Sequence, residues 1–284
     1  MFLSRARTAL LATAVAISAV MIGSLGSPAV ASDRSYLALG DSVVFGYIAH
    51  DVPAYVNPAN FIGYPQYVGS SLNLATANAS CAGEASGGFQ NVTTGNDNGC
   101  RFYRSHWPLH VAYAGSQLAF ATAFLKSHPK TRLVTLGLGA NDAFILQRTC
   151  TTQQCLTDGL AVMSANIDAI LGAIRAIGYK GVLVVVNYYS LDYSDATQVA
   201  GTQLLNHFVT ASAAAHGAVV ADAYTAFQKA SAAAGGKTCF AGLLNGDPAV
   251  NLACDVHPSQ TGQQVLAQAV EEAYFAATAD SSGA

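Results

Sequence analysis

The stretch YLALGDSVVFGY, residues 36–47, places a small polar triplet, Gly40-Asp41-Ser42, directly behind an apolar run, with Gly46 four residues after the serine. A plain turn would account for this. So would a serine held at the carboxyl end of a strand, where it can attack a substrate. The choice depends on what the rest of the chain brings to its strand ends.

Apolar runs of strand length recur: SYLALG at 35–40, LATANAS at 74–80, LVTLGLG at 133–139, GVLVVVNYY at 181–189 and GAVVADAY at 217–224. They are apolar on both alternate faces, as in parallel strands covered by helices on each side. Helical periodicity fills the gaps at 61–73, 111–127, 157–177, 195–215, 223–233 and 260–278. Within 157–177, Leu160, Met163, Ile167, Ile170, Leu171 and Ile174 form one stripe at spacings of three and four. Asp158 and Gly178 suit the ends of that helix. This alternation predicts an α/β protein: a single three-layer α/β/α domain around a mainly parallel sheet of about five strands.

The first residues read as a targeting segment. Arg5 and Arg7 precede the uncharged run ALLATAVAISAVMIGSL, and Ala29 and Ala31 supply an A-x-A-like cleavage pattern. This predicts a signal peptide over 1–31, cut after Ala31, and an exported domain over 32–284. A membrane anchor is the competing reading, since the run is near the lower length limit for a span. Removing the two arginines from 13 basic residues leaves 11 against 16 acidic, a net charge near −5. No basic stripe is present, which argues against nucleic acid as a partner. The expectation is an extracellular monomer without stable membrane insertion. Six cysteines, with no C-x-x-C, favour disulfides over a metal or redox site. Their spacing suggests local pairs: Cys81 with Cys100, Cys150 with Cys155, and Cys239 with Cys254.

In open α/β sheets function collects at the carboxyl ends of the strands. Gly40-Asp41-Ser42 follows the first strand and Gly83-Glu84 the second. Gly139, Asn141 and Asp142 follow the third, and Asp255 and His257 lie just before the last helix. Each has an unremarkable explanation. Gly83 suits any turn, Asn141 and Asp142 suit a cap, and the six other histidines suit a surface. Together they are the parts of an acyl-transfer site: a serine, a histidine and hydrogen-bond donors.

The same residues resemble the SGNH subgroup of the GDSL esterases and lipases. Ser42 stands in G-D-S, Gly83 in the second block, Asn141 in G-A-N-D and His257 in H-P, in the family's order across residues 36 to about 265. NASCAGEAS and the cysteine pairs look most like the secreted bacterial members. The resemblance implies a flavodoxin-like fold and hydrolysis of carboxylic esters with no cofactor or metal. Ser42 would be the nucleophile and His257 its base, since a hydroxyl attacks poorly until a base takes its proton. The N–H groups of Ser42 and Gly83 and the Asn141 amide would hold the oxyanion.

One departure concerns the third catalytic member. The family's acid usually stands three residues before the histidine, where this chain has Cys254. Asp255 reaches the imidazole only by a different backbone path, and a main-chain carbonyl near Cys254 is the alternative.

Other chemistries have less support. No G-x-S-x-G elbow exists for an α/β-hydrolase, and GLGAND lacks the third glycine of a dinucleotide loop. Asp255 and His257 alone make no metal site. Residues 43–64 and 143–146 are candidates for an apolar acyl slot, with Tyr47, Tyr55, Phe61 and Phe144 favouring a lipid or fatty-acyl ester. Carbohydrate deacetylation is the runner-up, and a non-catalytic secreted binding protein is the alternative from another class.

Overall fold

A computed structural model of the chain describes residues 34–49, 51–246 and 253–282. The expected signal peptide at 1–31 lies outside them. Five strands form the sheet: β1 (Ser35–Gly40), β2 (Ala75–Asn78), β3 (Leu133–Gly137), β4 (Val182–Val186) and β5 (Val219–Ala221). Every pairing is parallel and the order is β2-β1-β3-β4-β5. This is the flavodoxin-like order, in which the winding direction reverses between β1 and β3. The register sets Gly40 beside Gly137 at that reversal.

Burial follows position in the sheet. β1 and β3 are buried at every residue, whereas the edge strands β2 and β5 each expose part of their length. Alternate β1 residues serve the two faces, as the two-residue period of a strand requires. Leu37 and Leu39 enter one core with Val134, Leu136 and Leu183, while Tyr36 and Ala38 enter the other with Leu133 and Val184.

Among the described residues, ten helices connect and cover the strands: α1 (Ser42–Phe45), α2 (Tyr64–Ser71), α3 (Ser86–Gln90), α4 (Cys100–His106), α5 (Gln117–Ser127), α6 (Ala140–Thr149), α7 (Gln153–Ala176), α8 (Ala196–Thr210), α9 (Ala223–Ser231) and α10 (Gln260–Ser282). The expected apolar stripe of α7 is buried at all six positions. By length and composition α7 could cross a membrane, but that stripe is packed into the core.

Boundaries differ where local chemistry overrides periodicity. α7 starts at Gln153, ahead of the expected 157, because the Thr152 hydroxyl caps it by accepting from the Cys155 N–H at 3.2 Å. α5 starts at Gln117 instead of 111, capped by Ser116. α2 starts at Tyr64, with a proline in its first turn. α1, α3, α4 and α6 escape the periodicity reading; the first three have only 4, 5 and 7 residues.

A third apolar cluster lies outside the sheet faces, built from Phe45, Tyr55, Phe61, Tyr103 and Leu109 around Cys81 and Cys100. All three expected disulfides are present: Cys81–Cys100, Cys150–Cys155 and Cys239–Cys254, with Cα atoms 5.5, 5.4 and 5.9 Å apart.

Candidate active site

Ser42 stands at the first position of α1, directly after β1. Gly40 makes this turn possible. Its φ is +141°, and a Cβ there would lie 2.0 Å from the Gly137 oxygen, so only glycine lets the two strand ends meet. Asp41 then caps α1, its Oδ1 accepting from the Val43 N–H at 2.9 Å. Its Oδ2 accepts from the Tyr188 hydroxyl at 2.6 Å. Asp41 is fully buried, and that burial pushes its carboxyl up from 3.8 to about 6, even though Tyr188, Val43 and His257 all pull it down.

Buried amides brace the turn from both sides. Gln117 accepts from the Gly40 N–H at 2.6 Å and donates to the Gly40 oxygen at 3.0 Å. Gln263 of α10 donates to the Val43 oxygen at 2.9 Å and accepts from the Tyr64 N–H at 2.8 Å. Neither glutamine carries a sequence signal, because each acts through packing across the fold.

The loop before α10 delivers the histidine. His257 Nε2 lies 2.9 Å from Ser42 Oγ, and its Nδ1 lies 2.7 Å from Asp255 Oδ2. Asp255 accepts two further N–H groups, from Val256 at 2.6 Å and Ala49 at 3.2 Å. Burial alone would raise this carboxyl. The imidazole and the two N–H groups outweigh it and hold the carboxyl below its ordinary value. An ionised carboxylate only accepts, so Nδ1 carries the proton and Nε2 accepts from the Ser42 hydroxyl. Asp255 therefore reaches the ring from two residues away.

The loop is fixed by several contacts. The Tyr189 hydroxyl donates to the Val256 oxygen at 2.7 Å, the Asn245 N–H donates to the His257 oxygen at 2.9 Å, and Cys254 is tied to Cys239. The Tyr47 ring packs edge-on to the imidazole with centroids 5.0 Å apart.

Asn141 sits at the start of α6, just past the carboxyl end of β3, and borders the same cavity as Ser42 and His257. Its Oδ1 accepts from Asn98 at 2.7 Å. Among the described residues, the Asn141 NH2 and the N–H groups of Ser42 and Gly83 donate to no protein acceptor. Gly83 has φ +85°, and a Cβ there would meet Gly99 Cα at 2.8 Å, which reserves the position for glycine.

The neighbouring acids turn away from the reaction centre. Asp142 accepts from the Ser86 N–H and hydroxyl at 2.9 and 2.6 Å, bracing the second block against α6. Glu84 is buried against Gln117. Glu84, Asp97 and Cys100 lie close enough to suggest a cation site, but the Cys100 sulfur is already bonded to Cys81.

A cavity of about 430 Å³ opens at the Ser42–His257 pair, walled by Phe144, Leu156, Leu160, Leu204 and Leu205. Phe144 and Val43 belong to the expected acyl-slot segments. Tyr55 and Phe61 do not line it, because they are consumed in the third apolar cluster. Leu156, Leu160, Leu204 and Leu205 come instead from α7 and α8, and of these Leu160 reads in the sequence as part of a core stripe.

The model of the GDSL-like lipase/acylhydrolase family matches residues 38–265. This chain belongs to that family. As a GDSL-family member it is a carboxylic ester hydrolase, which sets aside the non-catalytic binding protein. A sequence comparison with curated proteins returns no match.

Solved structures share the GDSL-family fold at low identity. LAE5, an alpha/beta hydrolase enzyme from the metagenome of Lake Arreo in Spain, is 17% identical with a TM-score of 0.53, covering 86% of this chain and 96% of its own. Phospholipase A1 from Streptomyces albidoflavus is 19% identical with a TM-score of 0.52, covering 84% and 98%. A single-residue variant of the acetyl xylan esterase Axe2 from Geobacillus stearothermophilus is 16% identical with a TM-score of 0.51, covering 86% and 95%.

Proposed function

We propose that this GDSL hydrolase is an exported, monomeric enzyme cleaving lipid or fatty-acyl esters through an acyl-enzyme on Ser42. The observation that carries the reading is the apolar cavity beside Ser42 and His257. Its leucine and phenylalanine walls suit an alkyl chain, whose burial contributes about 0.8 kcal/mol per methylene. Three disulfides support an oxidising, extracellular destination.

The geometry of Ser42, His257 and Asp255 supports the following steps. Ser42 Oγ attacks the ester carbonyl as its proton passes to His257 Nε2, and the carbonyl oxygen gains the negative charge. The N–H groups of Ser42 and Gly83 and the Asn141 NH2 receive that charge. Losing one such donor typically costs about 2.7–4 kcal/mol of barrier. As the oxyanion collapses, the C–O bond to the alcohol breaks and His257 returns the proton to the leaving oxygen. Water, deprotonated by the same ring, then releases the acid and restores the Ser42 hydroxyl. Asp255 holds the tautomer and offsets the positive charge the ring acquires.

A deacetylase of carbohydrates is the second reading, favoured by Gln147, Thr197, Gln198 and Thr202 along the same cavity. Initial rates on p-nitrophenyl esters from acetyl to palmitoyl separate the two. Rising kcat/KM with chain length, by at most about fourfold per methylene, fits the lipid reading. A steep preference for acetyl, with acetate released from an acetylated polysaccharide, would overturn it. Ser42→Ala should abolish turnover on every ester.

A further inference from the structure

We propose that Asn98, backed by Arg148, is the positioning residue that aims the Asn141 amide at the reaction centre while holding Gly83 beside it. The inference rests on the reading that Asn141 and Gly83 donate to the oxyanion.

Donor and acceptor parity fixes the orientation of both amides. A guanidinium only donates, and Arg148 Nη2 lies 2.5 Å from Asn98 Oδ1. Asn98 must therefore turn its oxygen toward Arg148 and its NH2 toward Asn141, whose Oδ1 is 2.7 Å away. Asn141 in turn must present its oxygen to Asn98, which leaves its NH2 free to donate on the cavity side. Among the described residues, no other hydrogen bond distinguishes the oxygen from the nitrogen of the Asn141 amide. Turned by 180°, it would offer an oxygen to a developing oxyanion and repel it.

The same residue reaches the other donor through its backbone. The Asn98 N–H donates to the Gly83 oxygen at 3.0 Å, steadying Gly83 in its positive-φ conformation. The Cys81–Cys100 bridge closes the loop that carries Asn98. Asn141 and Arg148 stand seven residues apart on α6, about two turns and so on one face. Asn98 thus spans one side of that helix and the second block together.

The test compares Asn98→Ala, Asn98→Asp, Asn141→Ala and the Asn98→Ala/Asn141→Ala double variant on one acyl ester. Inhibition by a trifluoromethyl ketone, which forms the tetrahedral adduct, is measured alongside thermal unfolding. Asn98→Ala should lower kcat about 10- to 100-fold with KM little changed, less than the roughly 10²- to 10³-fold loss of a donor itself. The ketone Ki should rise by the same factor as kcat/KM falls. Asn98→Asp should be worse than Ala, because a carboxylate accepts and draws the Asn141 NH2 away from the cavity. In the Asn141→Ala background, adding Asn98→Ala should cost under about twofold.

Equal losses from Asn98→Ala in both backgrounds, or Asp more active than Ala at position 98, would overturn the relay and leave the Asn141 reading standing. Full activity in Asn141→Ala would overturn both. Should the position 98 variants fail to fold, the exposed Arg148→Met carries the test. A several-fold loss in kcat with a matching rise in Ki is expected there, and unchanged values overturn the proposal.

Discussion

Replacing Asp255 with Asn tests how much of the reaction depends on a negative charge behind the imidazole. In the native site Oδ1 accepts from the Val256 N–H, while Oδ2 accepts from the Ala49 N–H and His257 Nδ1–H. An amide has one acceptor oxygen. At the Oδ2 position that oxygen satisfies two N–H groups and turns its NH2 against Val256. At the Oδ1 position it satisfies one and turns its NH2 against Ala49. The first arrangement is favoured, so Nδ1 keeps its proton and the tautomer survives.

In the proposed reaction, what disappears is the charge facing a ring that becomes positive only as Ser42 gives up its proton, a difference felt in the transition state. Two unit charges about 4 Å apart interact by about 4 kcal/mol at an effective dielectric near 20. The Asp255 side chain is 20% exposed, and solvent screening lowers that figure. A loss of about 2–4 kcal/mol corresponds to a kcat about 30- to 1000-fold lower. Initial rates on p-nitrophenyl butyrate, with a melting curve as the fold control, measure it. Activity within threefold of native would refute the charge argument.

Three further outcomes are expected. Burial first, and the Asp97 charge second, push the Glu84 carboxyl from 4.5 up to about 8, so the folded chain keeps a proton that the unfolded chain releases. Stability should therefore fall from about pH 4.5 to about pH 8 and level off beyond. Glu84→Gln should lack this trend, and a Tm difference from native that does not widen across the window would contradict it. Replacing Cys81 and Cys100 together by Ser opens a loop with a sequence separation of 19. The expected loss is about 3 kcal/mol, or roughly 6–12 °C in Tm, and scanning calorimetry checks it. Gly201 of α8 borders the cavity, and a Cβ there meets nothing within 4 Å. Gly201→Phe should shorten the preferred acyl chain while sparing acetyl turnover, and an unmoved chain-length profile would exclude that wall from acyl binding.

Much of this fold was legible because its signals are local. Strands buried on both faces must be apolar throughout, so 35–40, 133–139 and 181–189 announced themselves. α7 showed its stripe because one side of a long helix faces a core. Cysteine spacing was informative because short loops close most readily. Ser42, Gly83 and Asn141 stood out through short motifs at strand ends, and His257 through an H-P pair just before the last helix.

What periodicity could not convey was whatever depends on distant partners. Tyr55 and Phe61 looked like acyl-slot residues, and only packing against Tyr103 and Phe45 shows them used elsewhere. Leu160 looked like core, and only the placement of α7 beside α8, which brings in Leu204 and Leu205, opens a cavity between these leucines and Ser42. The sequence left Asp255 and a backbone carbonyl as equal candidates; the loop path settled which group meets the ring. Asn98, Gln117 and Gln263 carry no motif at all. Hydropathy and spacing are properties of neighbours along the chain, whereas a hydrogen bond across 43 or 77 residues exists only once folding has brought its ends together.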